Sequence, residues 1–267
     1  FVIVESIYNH KGEKRSLLFD KKKFSKFKEK IIYLIYDKIP RSVWPVNEED
    51  TEELKNHKYI MNPLYRENAQ RNFIFEGLKI AKKDDLIFIS DVDEIPKLES
   101  LDFSKIKDEI ILFKQDMFYY KYNLNLPNFK WSGTKGVRKK KLISPQWLRN
   151  VKDKKYPLYR IDTFFSDKRY INIKIIKDGG WHFSNIKSPE LIEHKLRSYL
   201  HHREFDQKSL SVDEINDLVE KKQAIYDLRV DKRVNKVGNG LILNNFDLKK
   251  LPSYIQNNLE KYKDWID

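Results

Sequence analysis

The first half of the chain contains four short apolar runs separated by longer polar or helical stretches. Each run is rich in branched and aromatic residues and has the length of a buried β-strand. The runs are continuous rather than alternating, as in parallel strands that are covered on both faces. A helical pattern of apolar positions over 69–81 precedes the third run, so we expect crossover connections and a mostly parallel sheet. The four runs are FVIV (1–4), IIYLIY (31–36), DLIFIS (85–90) and EIILFK (109–114).

The second half of the chain is less regular. Residues 119–149 are rich in aromatic residues, Asn and Lys and have little periodicity, so we expect long loops and a hairpin over one edge of the sheet. Beyond them, YRIDTFF (159–165) and YINIKII (170–176) have the composition of strands. Serine, proline and glutamate at 188–190 predict the start of one helix, and the capping box SVDE at 211–214 predicts the start of another.

The pattern contains no stretch with the composition of an interdomain linker, and the tail at 251–266 predicts a last helix. We therefore expect one α/β domain over residues 1–267. The chain opens on Phe1 within a predicted strand, without an initiator methionine, so we also expect that residues precede it.

The composition is that of a globular protein, with 40% hydrophobic and 13% aromatic residues. The absence of cysteine excludes disulfides and thiolate zinc sites, and it is compatible with a reducing, cytoplasmic compartment. No apolar run approaches the roughly 20 residues of a membrane-spanning helix. The net charge of +13 is compatible with an anionic partner, including a peripheral membrane contact, or with lysines spread over a solvated surface. No nucleic-acid motif accompanies the basic residues, so no nucleic-acid partner is expected.

The sequence DDLIFISDVDEIP at 84–96 joins a predicted buried strand to three carboxylates within four residues. Alternate residues of an extended chain point the same way, so Asp91 and Asp93 can converge while Val92 packs behind them. Ligands of open parallel sheets bind beyond the carboxyl ends of the strands. Two convergent carboxylates without a basic neighbour in sequence suit a hard divalent cation such as Mg²⁺ or Mn²⁺.

Four stretches of the chain resemble glycosyltransferase family 17, and they occur in the order that the family has. The resemblance implies an α/β fold of the GT-A type, a nucleotide-binding sandwich with a mostly parallel central sheet and a helical C-terminal part. Members of the family usually have one more strand and helix before FVIVES, so we expect either that these lie upstream of Phe1 or that the nucleoside pocket is built differently. The stretches are FVIVES with the following GEKRSLLF, then SDVDEIP, GGWHFS and SPELIEHKLRS.

The resemblance further implies a UDP-sugar donor, most simply UDP-GlcNAc, a glycan acceptor and a divalent metal, Mn²⁺ or Mg²⁺, on the diphosphate. An inverting transfer then needs a base that takes the proton of the acceptor hydroxyl. Glu94 and Asp178 are the candidates for that base. Glu94 can equally be the charge partner of an arginine or a backbone cap.

His182 is the candidate for a third metal ligand after Asp91 and Asp93, because enzymes of this type often take one from a late histidine; a substrate contact or a hydrogen-bonded core position are its alternatives. His202 is a rival for the same role. Four further residues are candidates for the donor or substrate site: Trp181 as a platform for a sugar ring, Arg71 and Lys195 as diphosphate contacts, and Glu5 as a residue of the ligand-binding edge or a support for a loop.

Two other classes of function stay open from the residues alone. One is a metal-dependent phosphohydrolase or nuclease, which would need a second cluster of acids and histidines for a second metal. The other is a non-catalytic protein that binds nucleic acid or an anionic surface, with binding that falls steeply as salt rises.

Overall fold

The computed structural model describes residues 1–107, 109–154, 159, 165–170, 172–199, 205–206, 208–228 and 237–267. The chain divides into two compact units. The first unit comprises 1–82, 144–146 and 194–207, and the second comprises 83–143, 147–193 and 208–267. The single domain expected over the whole chain stays a prediction.

The first unit is built on two parallel strands, β1 (Val2–Ser6) and β2 (Ile32–Tyr36), with Val2 opposite Ile32. Both strands match apolar runs of the sequence. Helix α1 (Glu52–Asn72) and the short helix α2 (Ile74–Gly77) follow. A side chain at Gly77 would place its Cβ 2.4 Å from Val2, so the glycine allows α2 to approach β1 closely.

Helix α1 begins well before the helix predicted at 69–81. The helix is polar on average and contains Pro63 near its middle, so no clear apolar stripe marks it in the sequence. The side chains that it buries there include Lys58 and Asn62. Thr51 caps the helix by accepting a hydrogen bond of 3.3 Å from the backbone N–H of Leu54.

The second unit contains a seven-stranded mixed sheet. Five of its strands lie in the order β3-β6-β5-β8-β4, while β7 also pairs with β5 and β9 with β6. Among the described residues four pairings are antiparallel and two, β5 with β7 and β5 with β8, are parallel. The strands are β3 (Leu86–Ile89), β4 (Glu94–Pro96), β5 (Ile110–Tyr119), β6 (Leu124–Arg138), β7 (Ile173–Ile176), β8 (Gly180–Ser184) and β9 (Asn244–Asn245).

The expectation of a mostly parallel sheet is therefore wrong for this unit. The apolar run that predicts β5 belongs to a strand that is buried along nearly its whole length. Its neighbour β6 is antiparallel and joined to it by a short connection. A continuous apolar run shows that both faces of a strand are covered, and an antiparallel strand in the middle of a sheet satisfies that condition too.

The interpretation of residues 119–149 as long loops over a sheet edge is wrong, but the hairpin expected with them is present as the antiparallel pair of β5 and β6. About half of this segment forms β6, a 15-residue strand that lies between β3 and β5, and helix α3 (Pro145–Asn150) follows it. Asn, Lys and Gly residues within β6 weaken the alternation of apolar and polar positions along the strand, and the register with β5 shifts at two places. Because of these irregularities, a search for alternating apolar and polar residues does not detect this central strand.

The helices of the C-terminal part agree with the sequence signals. Helix α4 (Pro189–Ser198) begins at the predicted proline, and helix α5 (Val212–Glu220) begins after Ser211, whose capping box with Glu214 is formed in both directions. The predicted last helix is divided into α6 (Ser253–Gln256) and a 3₁₀ helix (Glu260–Trp265). Most of the predicted strand at 159–165 lies outside the described residues.

The core of the second unit lies against both ends of β5. Leu101, Ile106, Ile111 and Phe113 pack together at its start. Near its end, an aromatic cluster is formed by Phe118, Trp181, Phe183, Leu251 and Ile255. No helix of the described residues is both long and apolar enough to cross a membrane.

Candidate functional site

The three carboxylates after β3 lie in a tight turn and not in extended chain. The N–H of Glu94 donates to the carbonyl of Asp91 at 3.1 Å, and the N–H of Asp91 donates back to Oε2 of Glu94 at 3.1 Å. Val92 is fully exposed and does not pack behind the two aspartates as expected. The extended geometry expected for Asp91 and Asp93 is therefore wrong, and the two carboxylates have different neighbours.

Arg149 is the cation that neutralises two of the three acids. Its Nη1 and Nη2 donate to Oε2 and Oε1 of Glu94 at 2.9 and 2.8 Å, and Nη2 also donates to Oδ2 of Asp91 at 2.9 Å. The carbonyl of Gly133 accepts a further bond from Nη1 at 2.7 Å. A two-pronged pairing of this kind fixes the geometry of both partners and is stronger than a single neutral hydrogen bond.

Glu94 has the contacts of a structural residue. Its side chain is 0% exposed. Besides Arg149 and the N–H of Asp91, the indole Nε1 of Trp131 donates to it at 2.8 Å. A general base must reach the proton that it removes, and this carboxylate is buried and already accepts four hydrogen bonds. The geometry supports the alternative of an arginine partner and backbone cap, and the catalytic role of Glu94 stays a prediction without support from these contacts.

His182 lies next to the third acid. It is directly opposite Glu94 in the antiparallel pair of β4 and β8, so the two side chains are on the same face of the sheet. Its Nε2 is 3.3 Å from Oδ2 of Asp93, and its ring centre is 5.0 Å from that of Trp131. Its buried Nδ1 has no hydrogen-bond partner among the described residues. A core histidine that served only structure would be expected to use both ring nitrogens.

The predicted metal ligands are thus only partly brought together. Asp93 and His182 are neighbours, whereas Asp91 is paired with Arg149. Within the described part of the chain, no group of three or more acidic or histidine side chains is arranged to hold a metal ion. Asp91 as a ligand stays a prediction, and the rival His202 lies outside the described residues.

Asp178 and Trp181 face the other side of the sheet. Trp181 is opposite Asp116 of β5, one residue out of phase with His182. Asp178 lines a cavity of about 600 Å³ on this side, where Lys130 lies between it and Asp116 at 3.5 and 2.8 Å. Trp181 is buried in the aromatic cluster, and its Nε1 donates to the carbonyl of Lys250 at 2.9 Å. The structure supports a core role for Trp181 and gives no support to Asp178 as the base beside Asp93.

The two glycines before Trp181 bring chain segments together. A Cβ on Gly179 would lie 2.8 Å from the backbone of Phe113, and a Cβ on Gly180 would lie 2.1 Å from the carbonyl oxygen of Ile95. These glycines therefore allow a close approach of backbone to backbone.

Three candidate residues belong to the first unit. Glu5 accepts hydrogen bonds from the N–H groups of Leu18 and Phe19 at 2.6 and 3.1 Å and from the hydroxyl of Tyr33 at 2.8 Å. Burial alone would raise the pKa of Glu5, but these bonds and the charge of Arg15 hold it below the ordinary value. This supports the loop-positioning alternative.

Arg71 and Lys195 are the other two. Arg71 donates to Glu67 at 2.6 Å and to the side-chain amide oxygen of Gln146 at 2.5 Å, so its guanidinium is engaged within its own unit. Lys195 lies on α4 and is half-buried. Their roles as diphosphate contacts, and that of Glu5 at the donor site, stay predictions.

The residues that sequence reasoning missed come from the segment interpreted as loops. Trp131 and Arg149 hold Glu94 from 37 and 55 residues away along the chain. The one signal for them was the charge of the acidic turn itself, which requires a cation that the neighbouring sequence does not supply. No motif identifies Arg149 as that cation.

A buried lysine adjoins this network. Lys135 on β6 is 5% exposed, and its Nζ donates to the carbonyls of Arg149 and Val151 at 2.5 and 2.7 Å. Burial, together with the charge of Arg149, lowers the pKa of Lys135 from 10.5 to about 8, against the attraction of Asp153 and Glu94.

This lowered pKa predicts how stability depends on pH. Between pH 8 and 10.5 the unfolded chain binds a proton at Lys135 that the folded chain has lost, so the free energy of unfolding should rise with pH, by at most about 1.4 kcal/mol per unit. In urea denaturation across this range, the slope of the free energy of unfolding against pH should be more positive in the wild type and in Lys141→Met, an exposed control, than in Lys135→Met. An identical slope in Lys135→Met would contradict the assignment.

Comparison with known proteins agrees with the sequence motifs. The family model described as Glycosyltransferase family 17 matches residues 1–266. No curated protein and no solved structure matches the chain significantly. Because the matched region is nearly the entire chain and contains the acidic turn, Arg149 and His182, the chain belongs to glycosyltransferase family 17.

Proposed function

We propose that this glycosyltransferase moves GlcNAc from UDP-GlcNAc to a hydroxyl group of a glycan, in a reaction that inverts the anomeric centre and requires Mn²⁺ or Mg²⁺. We also propose a GT-A-type fold for it. The observation that carries the proposal is the pairing of Asp93 with His182 beside a turn that Arg149 and Trp131 hold in place. Membership of the family supplies the reaction class.

The pair of Asp93 and His182 fits a divalent cation. Two ligand atoms that are each about 2.1 Å from one cation, at right angles to each other, lie about 3 Å apart. Oδ2 of Asp93 and Nε2 of His182 are 3.3 Å apart. An oxygen and an imidazole nitrogen suit Mn²⁺, and two protein ligands leave room for phosphate oxygens and water. When bound, such a cation would offset the negative charge that develops on the departing nucleoside diphosphate.

The remaining residues of the turn would position this pair. Glu94, fixed by Arg149, holds the N–H of Asp91 and so the conformation of the turn that carries Asp93. Trp131 contacts both Glu94 and the ring of His182. Asp91, on the same turn, would be a third ligand, and the proposal leaves the base for the acceptor hydroxyl unassigned.

Two substitutions test the cation site without measuring turnover. Asp93→Asn and His182→Ala should each weaken Mn²⁺-dependent UDP binding by about tenfold or more, because each removes a ligand and Asp93→Asn also removes a charge. Calorimetry with Mn²⁺ and UDP measures this. The matched control is Asp217→Asn, the same change at an exposed position of α5.

Thermal melts decide between a ligand and a core residue. A His182→Ala protein that melts early yet binds Mn²⁺ and UDP normally would make His182 structural and contradict the proposed site. Equal loss in Asp91→Asn and Asp93→Asn would support Asp91 as a further ligand.

Release of UDP from a panel of UDP-sugars, with Mn²⁺ and with chelator, then tests the choice of GlcNAc and the need for metal.

A further inference from the structure

The first unit contains a cavity of about 440 Å³ that the proposed reaction does not use. It lies between the loop that contains Trp44 and the middle of α1, and Arg66 and Lys11 contribute to its wall. Two of its aromatic side chains are accessible, with Trp44 44% and Tyr59 41% exposed.

The backbone of Trp44 is held by hydrogen bonds, and its side chain is exposed. The backbone N–H of Trp44 donates to Oδ1 of Asn62 at 3.0 Å, and Nδ2 of Asn62 donates to the Trp44 carbonyl at 2.7 Å. Lys58 fixes the next residue through the carbonyl of Pro45 at 2.8 Å and is itself neutralised by Asp50 at 2.6 Å. Both Lys58 and Asn62 are buried. Buried polar groups of α1 are thus used to fix the loop that presents an indole ring to solvent.

Arg66 is a half-buried cation in the wall of the cavity. Its Nη1 donates to the carbonyl of His10 at 2.9 Å, and its guanidinium is packed so closely under Gly12 that a Cβ there would lie 2.5 Å from Nη2. No carboxylate of the described residues forms a salt bridge with it. Burial also lowers its pKa. A half-buried cation without a counter-charge is unfavourable, and a bound anion would offset that cost.

The rest of the rim adds a second cation. Lys11 is exposed at the edge of the cavity, and its Nζ is 4.0 Å from Asp206, a carboxylate that also lines the cavity. A ligand oxyanion could therefore contact Arg66 and Lys11 while the body of the ligand lies on the indole of Trp44. Pyranose rings present apolar C–H faces that suit such an indole, and guanidinium groups bind carboxylates and phosphates in two-pronged geometry.

We infer that this cavity binds an acidic saccharide, with the carboxylate or phosphate group on Arg66 and Lys11 and the face of the sugar ring on Trp44. The site is a feature of the first unit alone. It requires neither the donor nor the cation, and so the inference does not rest on the proposed transfer reaction.

Direct binding tests the inference, with cation and nucleotide omitted. Glucuronic acid and glucose 6-phosphate are the probes, and glucose and inorganic phosphate are the matched fragments, followed by saturation-transfer NMR and calorimetry. We expect one or both acidic sugars to bind at millimolar concentration and each fragment to bind more weakly. The two acidic sugars distinguish a carboxylate ligand from a phosphate ligand. The inference would be overturned if glucose bound as tightly as the acidic sugars, or if phosphate bound as tightly as glucose 6-phosphate. It would also be overturned if none of the probes bound.

Variants locate the bound probe. Arg66→Gln should weaken binding by about tenfold or more because it removes a charge-assisted contact. Trp44→Phe, which keeps an aromatic ring, should weaken it less. Arg41→Gln is the matched control: Arg41 is exposed and does not line the cavity, so its loss should change affinity by about twofold at most in moderate salt. An equal effect of Arg41→Gln and Arg66→Gln would overturn the site.

Two further measurements keep the result interpretable if Arg66→Gln disturbs folding. Lys11→Gln lies on an exposed side chain, and we expect it to melt like the wild type and to bind the acidic sugar several-fold more weakly. UDP without cation serves as the other class of anionic ligand. Tighter binding of UDP than of either acidic sugar, lost in Arg66→Gln, would overturn the assignment to a saccharide.

Discussion

Replacement of Arg149 by methionine is expected to lower the free energy of unfolding by about 3–5 kcal/mol, the usual cost of removing one partner of a buried ion pair. The side chain of Glu94 is 0% exposed, and Arg149 supplies two of its hydrogen bonds and its counter-charge. Methionine fills a similar volume but leaves a buried carboxylate without a cation. Urea denaturation followed by circular dichroism measures the change.

The double variant Glu94→Gln with Arg149→Met is the control for this explanation. If the cost of Arg149→Met comes from an unpaired buried charge, the double variant should recover part of the loss, because glutamine carries no charge. If Arg149→Met alone lowers the free energy of unfolding by less than about 1 kcal/mol, the carboxylate of Glu94 must reach water or another cation. A double variant less stable than the single one would assign the loss to packing.

The local features of this fold could be predicted because they depend on neighbouring residues. Strands β1, β2, β3 and β5 coincide with apolar runs, and the start of α4 and the capping box of α5 follow from three or four consecutive residues. The acidic turn after β3 was located in the same way. Family motifs then extended the prediction to the reaction class, which the family match confirms.

The remainder depends on pairings between distant parts of the chain. Nothing in the polar, irregular sequence of β6 shows that it lies between β3 and β5, and that placement determines that the sheet is mixed. The same segment supplies Trp131 and leads to Arg149, so the error about β6 also hid the partners of Glu94. Conversely, Trp181 and His182 are adjacent in sequence and were expected at one site, but adjacent residues of a strand face opposite sides of a sheet.

The glycine at the start of β8 provides the second large effect. Gly180 has a φ of +119°, which side chains rarely allow, and a Cβ there would lie 2.1 Å from the carbonyl oxygen of Ile95 and 2.8 Å from the backbone nitrogen of Lys97. Both contacts are with backbone, so no rotation of a side chain can relieve them. The affected strand pair, β4 with β8, is the one that places His182 opposite Glu94.

Gly180→Ala is therefore expected to cost more than about 4 kcal/mol, a loss in the exceptional range for one substitution. Gly238→Ala is the matched control, because Gly238 also has a positive φ of +79° but its Cβ would be 3.6 Å from the nearest atom, in Leu210. The free energy of unfolding of this control should fall by only about 1–2 kcal/mol, because the substitution adds backbone strain alone. Urea denaturation of both variants separates the cost of backbone strain from the cost of the steric overlap with the backbone of β4. Equal losses would show that β4 and β8 can move apart at little cost, and the close pairing that holds His182 beside the acidic turn would then not be a rigid feature of the site.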